Sequence, residues 1–370
     1  MEVHCLKEEL FKGVQLVQNA ISPRSTLPIL SNILVESNGG TLRLSSTDLE
    51  VGIRCEVKAD IKTAGSTTIP ARTLGEFLRT LEDGRELSVK VSDGQKIEIR
   101  AGRDKCILIG LPKEDYPVLP EFSQEKAVLL PAGILKEMIK KTIFAVSTDE
   151  TRYVLNGINI IVEKGKAVLV STDGRRLAFV QRPIEDKKTQ INAIVPTKAV
   201  HELQRVLAND GGGDEPVHVN FTENQVTFRY KTTIILSRLI EGHFPNFEQV
   251  IPKSHEIDVK FNTKRLLAAT QRAAVGTLEK GGSVRYSLSK GKLQISASAQ
   301  GRVEVEAEIE TDYAGEPFSI AFNPQYLIDA FRALEGEEIL LELTTPLNPG
   351  VVRPAGDDGY KYVVMPMQLS

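Results

Sequence analysis

Two carboxylates stand in matching settings 125 residues apart, Asp48 in Ser46-Thr47-Asp48 and Asp173 in Ser171-Thr172-Asp173. Paired carboxylates are ordinary equipment for general acid–base chemistry, which makes them the first candidates for a reactive centre. Both also fit a turn between strands, where Asp bonds the backbone two residues on, and Gly174 follows the second of them. The third place in the series is Ser298-Ala299-Gln300, which carries no acid, so the turn reading is favoured over catalysis. The five histidines (His4, His201, His218, His243 and His255) show no metal-ligand spacing, and no nucleophile elbow or phosphate-binding glycine loop occurs. Gly211-Gly212-Gly213 leads toward a strand and reads as a plain loop. Cys5, Cys55 and Cys106 are odd in number and scattered, the pattern of free thiols in a reducing compartment. The chain is therefore expected to be no enzyme and to take no cofactor or metal.

The elements that would position any site repeat three times. Pro70, Pro196 and Asn323 are followed at the same offsets by Leu74, Val200 and Leu327, by Glu76, Glu202 and Asp329, by Arg79, Arg205 and Arg332, and by Leu81, Leu207 and Leu334. A spacing of 126 and 127 residues is the size of a compact domain, not of a solenoid unit. Proline-punctuated stretches at Tyr116-Pro117 and Phe244-Pro245 set the expected boundaries, giving domains 1–124, 125–252 and 253–370. Each repeat holds two helical patterns and short alternating strands, with Asp93-Gly94 a strong hairpin signal. The expectation is an α+β fold of three tandem copies, each with antiparallel sheets and two helices on one side.

Composition supports a globular chain with a core in each unit: 41% of residues are hydrophobic and 26% charged. No apolar run approaches the roughly 18 residues that cross a bilayer, and Met1 to Leu10 lacks the apolar region of a signal peptide. Charge is segregated by element. The six helical segments (7–20, 71–82, 132–145, 197–208, 263–274 and 323–335) carry 13 Lys and Arg against 8 Asp and Glu, whereas the whole chain is −3. Lys136, Lys140, Lys141, Lys198, Lys264, Arg265 and Arg272 join the aligned arginines in that surplus. A basic helical side on an acidic protein suits a polyanion touched on one surface. The competing reading is that Glu76 with Arg79, Glu202 with Arg205 and Asp329 with Arg332 form helix-surface pairs worth about 0.2–0.5 kcal/mol each. A net-acidic chain holds DNA poorly by charge alone, so a closed ring of repeats would supply the retention.

Leu27-Pro-Ile-Leu-Ser-Asn, Ser46-Thr-Asp-Leu-Glu, Arg152-Tyr-Val-Leu-Asn-Gly, Thr172-Asp-Gly-Arg-Arg-Leu-Ala, Phe244-Pro-Asn-Phe-Glu-Gln-Val-Ile-Pro and Tyr362-Val-Val-Met-Pro-Met-Gln-Leu run from end to end in order. With these segments the chain resembles the bacterial DNA polymerase III beta subunit, the sliding-clamp family. The resemblance implies a crescent that dimerises head to tail into a six-domain ring around double-stranded DNA, cytoplasmic and non-catalytic, tethering a replicative polymerase and opened by an ATP-driven loader. It implies a partner-peptide cleft at Leu155, Thr172, Gly174, Arg175, Arg176 and Leu177, with Pro245, Val250, Asn323, Tyr326 and Leu347, and with Val363, Met365, Pro366 and Met367 of the tail. The apolar, methionine-rich terminus suits a groove that accepts several ligands. DNA contacts are implied at Arg24, Arg72, Arg79, Tyr153, Lys198 and Arg205, and dimer contacts between Cys106 and Leu108 of one chain and Val275 to Leu278 of another. Cys106 there would make the interface redox-sensitive. Gln249, Gly281, Gln368 and Ser370 depart from the family pattern near the cleft and bear on motif preference. Two rivals remain from the residues alone: a monomeric three-domain module that binds DNA by charge, and an enzyme with a site between domains.

Overall fold

The computed structural model describes residues 1–21, 27–124, 127–208, 215–277, 282–299, 303–334 and 336–368. The helical patterns become α1 (Lys7–Gln18), α2 (Ala71–Thr80), α3 (Ala132–Thr142), α4 (Thr197–Ala208), α5 (Thr263–Ala274) and α6 (Pro324–Ala333). Leu74, Val200 and Leu327 are fully buried at their equivalent places, each contributing about 1.5–3 kcal/mol from removal of its side chain from water. Asn323 caps α6, its side-chain oxygen accepting from the Gln325 N–H at 2.9 Å. Around the helices lie antiparallel strands, so the expected α+β class holds. Sequence periodicity missed the opening strand Glu2–Leu6 and the short strand Asp60–Thr63. Pro28 starts a tight turn through Ser31, which delays the next strand to Asn32–Asn38.

The Ser-Thr-Asp motifs are turns, with all three side chains used alike in both copies. Ser46 and Ser171 donate to the carbonyls of Val17 and Thr142 at the ends of the preceding helices. Thr47 and Thr172 donate to Val51 O at 3.0 Å and Arg176 O at 2.6 Å. Asp48 Oδ1 accepts from the N–H groups of Glu50 and Val51, and Asp173 Oδ1 from those of Arg175 and Arg176. The turn needs a left-handed residue, which is Gly174 (φ +83°) in one copy and Leu49 (φ +78°) in the other.

The described residues form two compact units, 1–133 with 198–239, and 134–197 with 240–370. Each contains an eight-stranded sheet that joins two repeats. In the first unit Thr233–Arg238 pairs with Val51–Lys58, register Thr233 to Cys55 and Ser237 to Val51. In the second, Arg176–Pro183 pairs with Tyr360–Val364, register Arg176 to Val364 and Val180 to Tyr360. A five-stranded sheet completes the first unit and a four-stranded sheet the second. Helix α1 packs on the strands Thr41–Thr47 and Val51–Lys58 and against α2, while α5 packs on Lys292–Ala299 and Val303–Glu310 and against α6.

An ion cluster around buried Lys141 also ties the second and third repeats. Lys141 Nζ lies 3.1 Å from both Glu137 and Glu337 and 3.8 Å from Asp357, and Arg182 bridges Glu137 at 2.7 Å and Asp357 at 2.6 Å. Lys141 was expected among the cations of the polyanion face; at 5% exposure it is a core residue instead.

Candidate functional site

The strand pairing between Arg176–Pro183 and Tyr360–Val364 exposes one apolar face, because residues two apart on a strand share a side. Val168, Val170, Leu177, Val351 and Val363 are buried there, and Phe179, Phe244, Phe247 and Ile251 pack over them. The Phe179 and Phe247 rings lie 5.9 Å apart. Beside this layer opens a pocket of about 150 Å3 lined by Leu155, Thr172, Gly174, Arg175, Arg176, Leu177, Pro245, Asn246, Phe247, Val250, Val363 and Met365. Ten of these stand among the residues carried over from the family resemblance; Asn246 and Phe247 do not. The signal for Phe247 was its place between Pro245 and Val250, an apolar residue in a loop with nothing local to cover it.

The other five expected cleft residues lie off that lining. Asn323 caps α6. Tyr326 faces Arg176, whose guanidinium sits 4.6 Å from the ring centroid. Met367 N–H donates to Ala321 O at 2.8 Å and Met365 N–H to Arg175 O at 2.9 Å, which straps the tail down on both sides of Pro366. Leu347, 82% exposed, projects from the loop before Gly350–Pro354. Gln249 is exposed and does not line the pocket.

Arg176 fixes the wall. Its Nε meets Asp173 at 3.0 Å, one terminal nitrogen meets Asp329 at 2.7 Å, and the other donates to Phe144 O at 2.7 Å. Burial works against its charge, but the Tyr362 hydroxyl and these carboxylates outweigh it and keep the guanidinium more firmly protonated than usual. With each of its three guanidinium nitrogens engaged, Arg176 is a held side of the pocket, whereas Met365 and Val250 are apolar and accessible. Such a surface can hold apolar side chains of an extended segment.

In each of the two units the helices also leave charged positions exposed. Their exposed positions include nine cations (Lys12, Arg72, Arg79, Lys140, Arg205, Lys264, Arg265, Arg272 and Arg332) against one acid, Glu76. The basic bias is thus steeper on the solvent side than in the sequence, because Glu202 is buried and Glu8, Glu9, Glu137 and Asp329 are half-buried, which outweighs the burial of Lys141. Of the three expected helix-surface pairs only Glu202–Arg205 forms, at 2.6 Å. Glu76 pairs with Arg72 at 2.9 Å and Asp329 with Arg176, leaving Arg79 and Arg332 without an ion pair among the described residues. Lys198 is half-buried and held by Asp48. Tyr153 is exposed on a short turn, and Arg24 lies outside the described residues.

Matches to known proteins cover the chain in three consecutive blocks. Residues 1–120 match the DNA polymerase III beta subunit N-terminal domain, 129–246 its central domain and 248–368 its C-terminal domain. The chain belongs to the DNA polymerase III beta subunit family, the bacterial sliding clamps. The beta sliding clamp of Caulobacter vibrioides is 34% identical with both chains covered fully, and that of Escherichia coli K12 is 34% identical over 98% of each. Crystal structures of the sliding clamp from Bacillus subtilis (TM-score 0.94, 30% identity) and of the beta subunit from Pseudomonas aeruginosa (TM-score 0.92, 32% identity) align over the whole of both chains.

In this clamp the strand Asp104–Ile109 is an edge of the five-stranded sheet and Val303–Glu310 an edge of the four-stranded one. Leu108, expected at a dimer contact, turns into the core, and Cys106 is half-buried beside it. The outward residues are Ile107 and Ile109, the latter 63% exposed. Alternation along the strand explains the difference: placing 106 and 108 inward forces 107 and 109 out. Val275, after α5, is exposed, and Leu278 and Gly281 lie outside the described residues.

Proposed function

We propose that this sliding clamp closes head to tail as a homodimer into a ring around duplex DNA and holds the replicative polymerase on its template without catalysing a reaction. The steep cationic bias of the exposed helix faces in a chain of net charge −3 carries this reading. Arg72, Arg79, Lys198 and Arg205 would touch the duplex backbone from helices and Tyr153 from a loop, without reading sequence. The three domains would divide near 124 and 252. The apolar edges at Ile107 and Ile109 in the first and near Val275 in the third would meet across the dimer. The pocket at Leu177, Val250, Val363 and Met365 would take linear motifs of the polymerase, the clamp loader and repair proteins. A cytoplasmic site of action fits these partners.

Topological retention is tested by loading the protein on nicked circular DNA, then cutting the circle. The ring predicts stable retention on the circle and release from the linear product. Equal retention on both forms, with a steep salt dependence, would favour a monomeric module binding by charge.

A further inference from the structure

The sheet face that carries the apolar pocket continues into a second concavity of about 230 Å3, whose walls include Pro252, Lys253, His255, Arg353, Asp358 and Lys361. The two hollows are neighbours by construction. Val363 lines the first and Lys361 the second, two residues apart on the strand Tyr360–Val364, hence on the same face and about 7 Å apart. Val351, in the second hollow, is the direct cross-strand partner of Val363. The segment crossing between them gives Val250 to the first hollow, then Pro252 and Lys253 to the second.

The charges of the second hollow are unevenly used. Arg353 Nε lies 2.5 Å from Glu342 and its terminal nitrogen 3.0 Å from Asp358, so one guanidinium holds both acids of the wall. His255 lies 3.7 Å from Glu342 and 3.9 Å from Asp258 outside the hollow. Lys253 and Lys361 have no ion-pair partner among the described residues. Two uncompensated ammonium groups therefore border a small cleft that adjoins an apolar anchor site. A polyphosphate backbone would meet the carboxylates of Glu342 and Asp358 on the same wall, whereas a single carboxylate can lie between the two lysines.

We infer that the second hollow receives an acidic side chain from the same peptide that anchors its apolar residues next door. An extended segment advances about 3.3 Å per residue, so an Asp or Glu two to five positions from the apolar anchor reaches Lys253 and Lys361. The hollow thus selects among partner motifs, favouring those with an acidic flank. This rests on the apolar pocket being a peptide site.

The test uses two fluorescent synthetic peptides with one Leu/Phe anchor, flanked by Asp and Glu in the first and by Asn and Gln in the second. Each is titrated against the full chain and its Lys253→Ala/Lys361→Ala variant. The acidic peptide should bind the unaltered chain about three- to tenfold more tightly than the neutral one at low salt. That advantage should vanish in the double variant and shrink at about 0.5 M salt, while the neutral peptide binds both proteins alike. An acidic advantage that survives in the variant, or none in the unaltered chain while both peptides still bind, overturns the inference alone. Failure of both peptides to bind the unaltered chain overturns the peptide reading of the apolar pocket, and this inference with it.

Discussion

Lys141→Met removes a buried charge while keeping the unbranched stem, which makes it a direct probe of the cluster joining the second and third repeats. The ammonium is 3.1 Å from Glu137 and from Glu337, and 5.4 Å from the Tyr360 ring centroid. At an effective dielectric of about 20, unit charges at that separation attract by about 5 kcal/mol, and desolvation of the ammonium returns several kcal/mol of it. Breaking a buried cluster by removing one member costs about 3–5 kcal/mol. Here the carboxylate side chains keep 27% to 40% exposure and Arg182 stays beside two of them, so about 2–3 kcal/mol is expected. The pH dependence separates charge from packing. Burial pushes the Glu137 carboxyl up, but hydrogen bonds from Arg182 and Lys141 outweigh it and hold its pKa below the usual glutamate value. A depressed carboxyl pKa contributes stability that is present above the unfolded value and lost as pH falls through the folded one. The deficit of Lys141→Met should therefore be full at neutral pH and close only as pH falls below the ordinary glutamate value of about 4.3, toward about pH 3. Urea unfolding at both pH values measures it, with hydrogen exchange of the strands Arg176–Pro183 and Tyr360–Val364 as the local readout. A deficit of equal size at both pH values, or one below about 0.5 kcal/mol at neutral pH, would refute the electrostatic account.

Burial pushes the thiols of Cys5 and Cys55 up to about 12; it also raises that of Cys106, which is only half-buried and so open to reagent. Near pH 8 a thiol reagent should label Cys106 alone in the native chain and all three after urea; rapid labelling of all three without denaturant contradicts this. Slower labelling of Cys106 at high protein concentration would accompany dimerisation at that edge. Ile109→Glu places a charge on the exposed edge strand, so the fold should change by less than about 0.5 kcal/mol while dimer affinity falls about tenfold or more. Sedimentation of the variant decides it: an unchanged dimer at matched concentration removes Ile109 from the interface.

The repeats, the six helices and the turn role of Asp48 and Asp173 were legible because each is written in local chemistry. Leu74, Val200 and Leu327 recur at the same place in each repeat, and the Thr and Asp of Ser-Thr-Asp satisfy their own turn through neighbours within four residues. The cleft residues were legible through family resemblance, and ten of them meet in one pocket. The pairing of Glu76, Asp329 and Lys141 was not legible, since a charge on a helix finds whichever opposite charge the packed neighbours bring nearest. Asp329 meets Arg176 from 153 positions away in the chain.

By itself the sequence determined which segments become helix or turn and that one domain pattern is used three times, because periodicity and turn chemistry act over a few residues. Tertiary structure alone decided that neighbouring repeats share continuous sheets, that Leu108 faces in and Ile109 out, and that Lys361 stands next to an apolar pocket. Those outcomes depend on strand register between distant segments, and a shift of one residue would turn every side chain to the other face.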